Sequence, residues 1–233
     1  MVSALAARPP LAVDETRYLA VAWEMWRESQ FLVPYLNGEP YSHKPPFLFW
    51  MMQMGWAVFG VNDWWPRLVA PLFGLGTLFL IARMAWRLWP RDKEIAATAP
   101  LILFGSLFWA LFTTLTMFDM ILAFFAQVGL QGVLRAWRGD VLKGFALLAL
   151  SIGLGVLTKG PAILLHVLPA ALLAPYWGAK WGQSRDVNWR RWYLGVGVSL
   201  AAGVALALTR RRDPLPRSLA LGVLVSLVAV ALF

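Results

Sequence analysis

The sequence predicts an all-α polytopic membrane protein, and three observations carry that prediction. Of its 233 residues, 60% are hydrophobic and 14% charged, and the mean hydropathy is +0.62. A soluble domain is charged at about a quarter of its positions. Several windows run with at most one charge for about 20 residues, the length a helix needs to cross a hydrocarbon core about 30 Å thick. The basic residues then fall in short loops between apolar runs: Arg83, Arg87, Arg91 and Lys93; Arg135, Arg138 and Lys143; Lys180, Arg185, Arg190 and Arg191. By the positive-inside rule these loops are cytoplasmic. Residues 1–63 carry four basic residues against six acids, so this long segment reads as the opposite face.

Residues 1–13 are small, apolar and too short to span, without the basic start and apolar run of a signal peptide. Over 15–29, Leu19, Ala22, Trp23 and Trp26 recur at helical spacing while Arg17, Glu24, Arg27 and Glu28 lie elsewhere around the turn. That pattern predicts an amphipathic helix lying in the membrane interface. Pro34, Asn37-Gly38, Pro40 and Pro45-Pro46 make 33–46 a loop with turns, and 47–59 reads as a second, aromatic interfacial helix. Seven spans are expected, at about 66–86, 95–112, 120–137, 143–157, 161–177, 192–209 and 218–233. The run from 95 to 134 holds a single charge, Asp119. Forty helical residues would reach about 60 Å, twice the bilayer core, so this run must fold back at the polar patch of Thr113, Thr114, Thr116 and Asp119. Alternation then brings the acidic first loop, this patch and the Thr158-Lys159-Gly160-Pro161 turn to one face. The arginines at 210–212 and 217 fall on the outer side, against the charge rule.

Composition also bounds function. With no cysteine, neither disulfides nor thiolate metal sites exist. The net charge of +9 suggests nucleic acid, yet no basic groove with interleaved aromatics occurs, and the 14 tryptophans sit mainly near helix ends, where indole prefers the headgroup level. Membrane lipids, not nucleic acid, are the expected surroundings.

The candidate chemistry lies in the polar segments. Asp14 is placed to cap a helix or to act as general base toward an acceptor hydroxyl, with Glu15 read as its solvated neighbour. Asp119, alone among forty apolar residues, is a second cap or a second functional carboxylate. Paired carboxylates suit transfer at an anomeric carbon. Lys44, held extended by Pro45-Pro46, and Lys159, next to Gly160-Pro161, could each meet a phosphate leaving group or lipid headgroups. Tyr18 and Tyr41 are interface anchors or substrate contacts. His43 has no second His or Cys near it in sequence, which is weak ground for a metal, and His166 reads as an interhelical hydrogen bonder.

The runs Asp14-Glu15-Thr16-Arg17-Tyr18, Glu24-Met25 and Pro34-Tyr35-Leu36-Asn37-Gly38-Glu39-Pro40-Tyr41-Ser42-His43-Lys44-Pro45-Pro46 resemble the first outer loop of the aminoarabinose transferases, bacterial relatives of the protein O-mannosyltransferases with the GT-C membrane fold. Asp119 after a Thr-rich turn and Leu157-Thr158-Lys159-Gly160-Pro161 resemble further marks of that family, in order. The resemblance implies inverting sugar transfer from a polyprenyl-phosphate donor to a lipid A-type, glycan or protein acceptor, in a bacterial inner membrane with the site facing the periplasm. It assigns Asp14 as the catalytic or acceptor-orienting acid, Asp119 as support, Lys44 to the carrier phosphate, and Tyr18 and Tyr41 to the acceptor side. Lys159 is the second candidate for the phosphate. Residues 1–63 would form the outer-face part and 64–233 the transmembrane bundle. In relatives an acid precedes the lysine of the KPP run and joins a metal site; His43 stands there instead, and no metal is carried over. The family also has a helix before the first motif and continues past this end, so the sequence reads as truncated at both ends. A transporter or flippase-like protein, with Asp119 and Lys159 on a substrate path, and a non-catalytic remnant of the family are the alternatives.

Overall fold

The computed structural model describes residues 13–180 and 187–208, and these are overwhelmingly helical. They form two compact units, one ending at Phe124 and the other beginning at Phe125.

The first unit opens with α1 (Asp14–Arg27), whose buried face is Glu15, Tyr18, Val21, Ala22 and Met25. The amphipathic helix is therefore where the spacing puts it, but its buried stripe is turned by about one residue from the predicted Leu19, Ala22, Trp23, Trp26 set. Trp23 remains 45% exposed. The predicted loop contains a short antiparallel ribbon, β1 (Tyr35–Leu36) and β2 (Glu39–Pro40), pairing Tyr35 with Pro40 and Leu36 with Glu39. Asn37 (φ 57°) and Gly38 (φ 80°) form its turn, and two successive positive φ values explain why Asn-Gly stands there. Next comes α2 (Phe47–Phe59), launched by Pro46 and stopped by Gly60 at φ 73°. It packs on α3 (Trp64–Leu88), where the Trp65 indole donates to the Met51 carbonyl at 2.9 Å.

The span expected at 95–112 is broken. In its place α4 (Lys93–Phe104) and α5 (Leu107–Thr114) meet at 64°. Ser106 adopts an extended backbone (ψ 139°), and its hydroxyl accepts from Trp109 N at 3.2 Å, restarting a helix in a new direction. The chain then turns through residues 115–118 and enters α6 (Asp119–Trp137), as the length argument requires.

The second unit comprises the rest of α6, α7 (Val141–Lys159), α8 (Ala162–Leu172), α9 (Ala174–Lys180) and α10 (Trp189–Leu208). The predicted span 161–177 is interrupted at Leu173, leaving helices of 11 and 7 residues; Pro169 and Pro175 supply no N–H to a continuous ladder. The carbonyls at that end are satisfied by side chains, with Ala170 accepting from Trp177, Ala171 from Trp192 and Leu172 from Tyr193. By length and composition, four described helices can cross a membrane, α3, α6, α7 and α10, or five if the α4–α5 pair is one span. The expected count of about seven also included 218–233, which, like the 210–217 arginines, lies outside the described residues.

Apolar tails do not drive helices together in lipid, so close packing and interhelical hydrogen bonds do. A Cβ on Gly144 of α7 would lie 2.4 Å from the Ala136 backbone nitrogen of α6. Gly144→Leu is therefore expected to separate the two helices and abolish recovery of monodisperse protein from detergent. Gly197→Leu, with nothing within 4 Å of the added Cβ, should be recovered normally. Equal yields from the two variants would show that this contact is not limiting.

Candidate active site

Asp14 and Asp119 are each the first residue of a helix, α1 and α6, where unpaired backbone N–H groups favour an acid. Asp14 lies inside its helix and not before it: the preceding Val13 is the cap, with no side-chain capping bond. The capping role open to Asp14 is thus not the one it has.

An aromatic cluster centred on Phe49 and Phe118, whose rings are 5.8 Å apart and nearly perpendicular, joins α2 to the residue before Asp119. Tyr18 meets Phe118 edge-on at 5.1 Å and Phe49 at 6.3 Å, and Tyr41 lies 6.5 Å from Phe49. The Lys44 ammonium is 5.7 Å from the centre of the Phe118 ring, a cation–π contact that fixes the charge against the cluster. Pro45-Pro46 bring this about by ending the loop where α2 begins, and Lys44 stays half-buried. Burial pushes the Tyr18 phenol up to about 12, with Asp14, Tyr41 and Asp119 adding to the rise and Arg17 opposing it. Both acids and Tyr41 therefore lie within electrostatic reach of one phenol. Five of the six residues singled out from the sequence come together in the first unit: Asp14, Tyr18, Tyr41, Lys44 and Asp119.

Lys159 belongs to the second unit. It is the last residue of α7, half-buried, before Gly160 at φ 64° and the start of α8. The turn that follows it is thus fixed, as Gly-Pro suggests. His166 is exposed and pairs with the Ala162 carbonyl of its own helix at 2.8 Å, so among the described residues its bond is within one helix and not between two.

Two residues were misread or missed. Glu15 is not solvated: it is 1% exposed, and its carboxylate accepts from the Thr116 backbone N–H at 2.6 Å, across 101 residues of sequence. It ties the Asp14 helix to the loop that delivers Phe118 and Asp119. Glu24 grips the ribbon turn, accepting from Asn37 N and Gly38 N at 2.7 Å each. The Asn-Gly pair was the available signal, since a turn of that type leaves N–H groups in need of an acceptor.

His43 is exposed and packs its ring on Tyr41 at 5.4 Å. Among the described residues no three His, Cys, Asp or Glu side chains gather into a metal-holding group.

A family profile described as dolichyl-phosphate-mannose-protein mannosyltransferase matches residues 43–206. Undecaprenyl phosphate-alpha-4-amino-4-deoxy-L-arabinose arabinosyl transferase of Wigglesworthia glossinidia brevipalpis is 29% identical over 151 residues, 63% of this chain and 27% of that protein. The enzyme of that name, numbered 1, of Pseudomonas fluorescens Pf-5 is 30% identical over 198 residues, 83% of this chain and 35% of that one. The crystal structure of ArnT from Cupriavidus metallidurans bound to undecaprenyl phosphate superposes with a TM-score of 0.72 at 25% identity, covering 91% of this chain and 40% of that one. Its apo state gives 0.70 at 26%. The chain thus spans well under half the length of the relatives it matches.

Proposed function

Because the chain belongs to the dolichyl-phosphate-mannose-protein mannosyltransferase family, with the helical architecture of ArnT, we propose that it carries the site of a membrane glycosyltransferase. It uses a polyprenyl-phosphate sugar as donor and a hydroxyl of a lipid A-type, glycan or protein acceptor. The observation that carries this reading is the gathering of two helix-terminal carboxylates and a lysine around one aromatic cluster. Resemblance to proteins named for undecaprenyl phosphate supports the donor class.

In this reading the acceptor oxygen attacks the anomeric carbon from the side opposite the phosphate, and the configuration inverts. Asp14 takes the hydroxyl proton. The bond from anomeric carbon to phosphate oxygen breaks, its electron pair leaves with the carrier, and Lys44 meets the growing negative charge in a poorly hydrated setting. Tyr18, with its phenol pushed up to about 12, stays protonated at physiological pH and serves as a hydrogen-bond donor, not as the base. Asp119 orients the acceptor or offsets positive charge on the sugar. Lys159, in the second unit, is a separate candidate for a phosphate contact. Residues 1–63 are assigned to the outer face and 64–233 to the membrane, with the site open to the periplasmic side of a bacterial inner membrane. The charge placement in the sequence supports that orientation.

The test is transfer of radiolabelled sugar from a polyprenyl-phosphate donor by the chain in lipid, beside a version extended upstream by one membrane helix. Carrier affinity is measured in parallel. Lys44→Met is expected to weaken carrier binding about 10- to 100-fold, the loss of a charge-assisted phosphate contact. Lys44→Arg should retain more of it than Lys44→Met does. Unchanged affinity in Lys44→Met would remove the phosphate role, and carrier binding without transfer by either version would identify a non-catalytic member.

A further inference from the structure

The first unit carries a second concavity that the transfer chemistry does not use. It has a volume of about 600 Å³ and lies between α1 and the ribbon, with Trp23, Glu24, Arg27, Glu28, Tyr35 and Asn37 in its lining. That volume falls within the range of sites that hold small molecules. Trp23, Glu24 and Arg27 share one face of α1, while Asp14 and Tyr18 lie on the roughly opposite one. From Asp14 to Trp23 is about 14 Å along the helix axis. A group seated here is not the sugar being transferred.

The walls are built. Glu24 fixes the ribbon by binding both turn amides, Asn37 N and Gly38 N, at 2.7 Å. The Trp23 ring stands edge-on to Trp56 at 6.5 Å, and Trp56 is itself anchored by donating to the Asn62 carbonyl at 2.7 Å. Trp23 nonetheless keeps 45% of its surface open. Arg27 and Glu28 pair at 2.9 Å on the rim. The lining thus offers two aromatic rings, a guanidinium–carboxylate pair and the side-chain amides of Gln30 and Asn37. That combination matches a sugar ring, which presents an apolar C–H face for stacking and a rim of hydroxyls for hydrogen bonds. Two carboxylates against one guanidinium leave one negative charge in the lining, which repels phosphates and sugar acids and favours neutral or amino sugars.

We propose that this pocket is a second saccharide site, selective for short neutral or amino-sugar chains and separate from the Asp14 cluster. The proposal goes beyond the transfer reading, because binding here requires no turnover.

The experiment titrates the chain in lipid nanodiscs with the glucosamine trisaccharide, maltotriose and an anionic uronate trisaccharide, using calorimetry. Expected is saturable binding of the first two, with the uronate at least tenfold weaker. Trp23→Ala should weaken binding about tenfold, and Tyr35→Ala, at a second wall, should act in the same direction. Asp14→Asn should bind as the parent does. No saturable binding, binding untouched by both aromatic variants, or binding lost in Asp14→Asn would each overturn the proposal. If transfer is lost in Asp14→Asn while no trisaccharide binds, the second site fails and the transfer reading stands. Binding that depends on Trp23 without transfer gives the reverse.

Discussion

Asp14→Asn is expected to lower the rate of sugar transfer by about 10²- to 10⁴-fold while leaving membrane insertion and carrier binding close to the parent. The magnitude is that of a general base. The variant is informative because asparagine is nearly the same shape and keeps a carbonyl oxygen at the start of α1, so a lost rate reports lost basicity and not a lost fold. Neither Tyr18 nor Lys44 replaces it easily. Tyr18, raised to about 12, is neutral through the physiological range, and Lys44 has no lone pair while protonated. The direction of the Tyr18 shift also sets a stability trend. Its folded-state value lies above its unfolded one, so the contribution is complete below about pH 10 and is lost as pH rises toward about 12. An alkaline loss of fold that persists in Tyr18→Phe would have another origin. Transfer by Asp14→Asn at the parent rate, in a preparation where the parent is active, would take the base away from Asp14.

The second large effect is expected at Glu15. Glu15→Ala removes a buried carboxylate and leaves the Thr116 N–H without its 2.6 Å acceptor, at a cost of about 2–3 kcal/mol. Because that bond holds the loop before Asp119, the variant should also lose carrier affinity, through displacement of Phe118 beneath Lys44. Glu15→Gln keeps an acceptor oxygen and should recover most of the stability. Thermal unfolding in detergent distinguishes the two, and a Glu15→Ala protein as stable as the parent would show that the buried bond does not hold the loop.

Apolar length located α3, α6, α7 and α10 in the sequence to within a few residues, because a bilayer sets that length regardless of tertiary detail. The breaks at Ser106 and Leu173 were hidden, since apolar length is blind to direction and only local backbone and capping chemistry turns a helix aside. Alternation of the spans put the first loop and Asp119 on one face, while the choice of Asp14, Tyr18, Tyr41 and Lys44 came from the family resemblance and not from spacing. Glu15 was not legible, because one helical turn offers its side chain both to water and to a loop a hundred residues away, and only the fold decides between them. The α1 stripe shows the same limit: periodicity found the helix, but the neighbours of Tyr18 and Met25 set its rotation.

The bond from Glu15 to Thr116 also has a place in time. Its donor is made 101 residues after its acceptor, and at ribosomal speeds of about 5–20 residues per second that is about 5–20 seconds later. During that interval α1 exists without the partner that buries its first-turn acid, whereas the Glu24 grip on the ribbon turn needs only 13 to 14 further residues. The surface module can thus mature in two steps during biogenesis, the ribbon first and the acidic helix end last. Asp14, one residue before Glu15, would then be held beside the aromatic cluster only after the chain through Thr116 has entered the membrane.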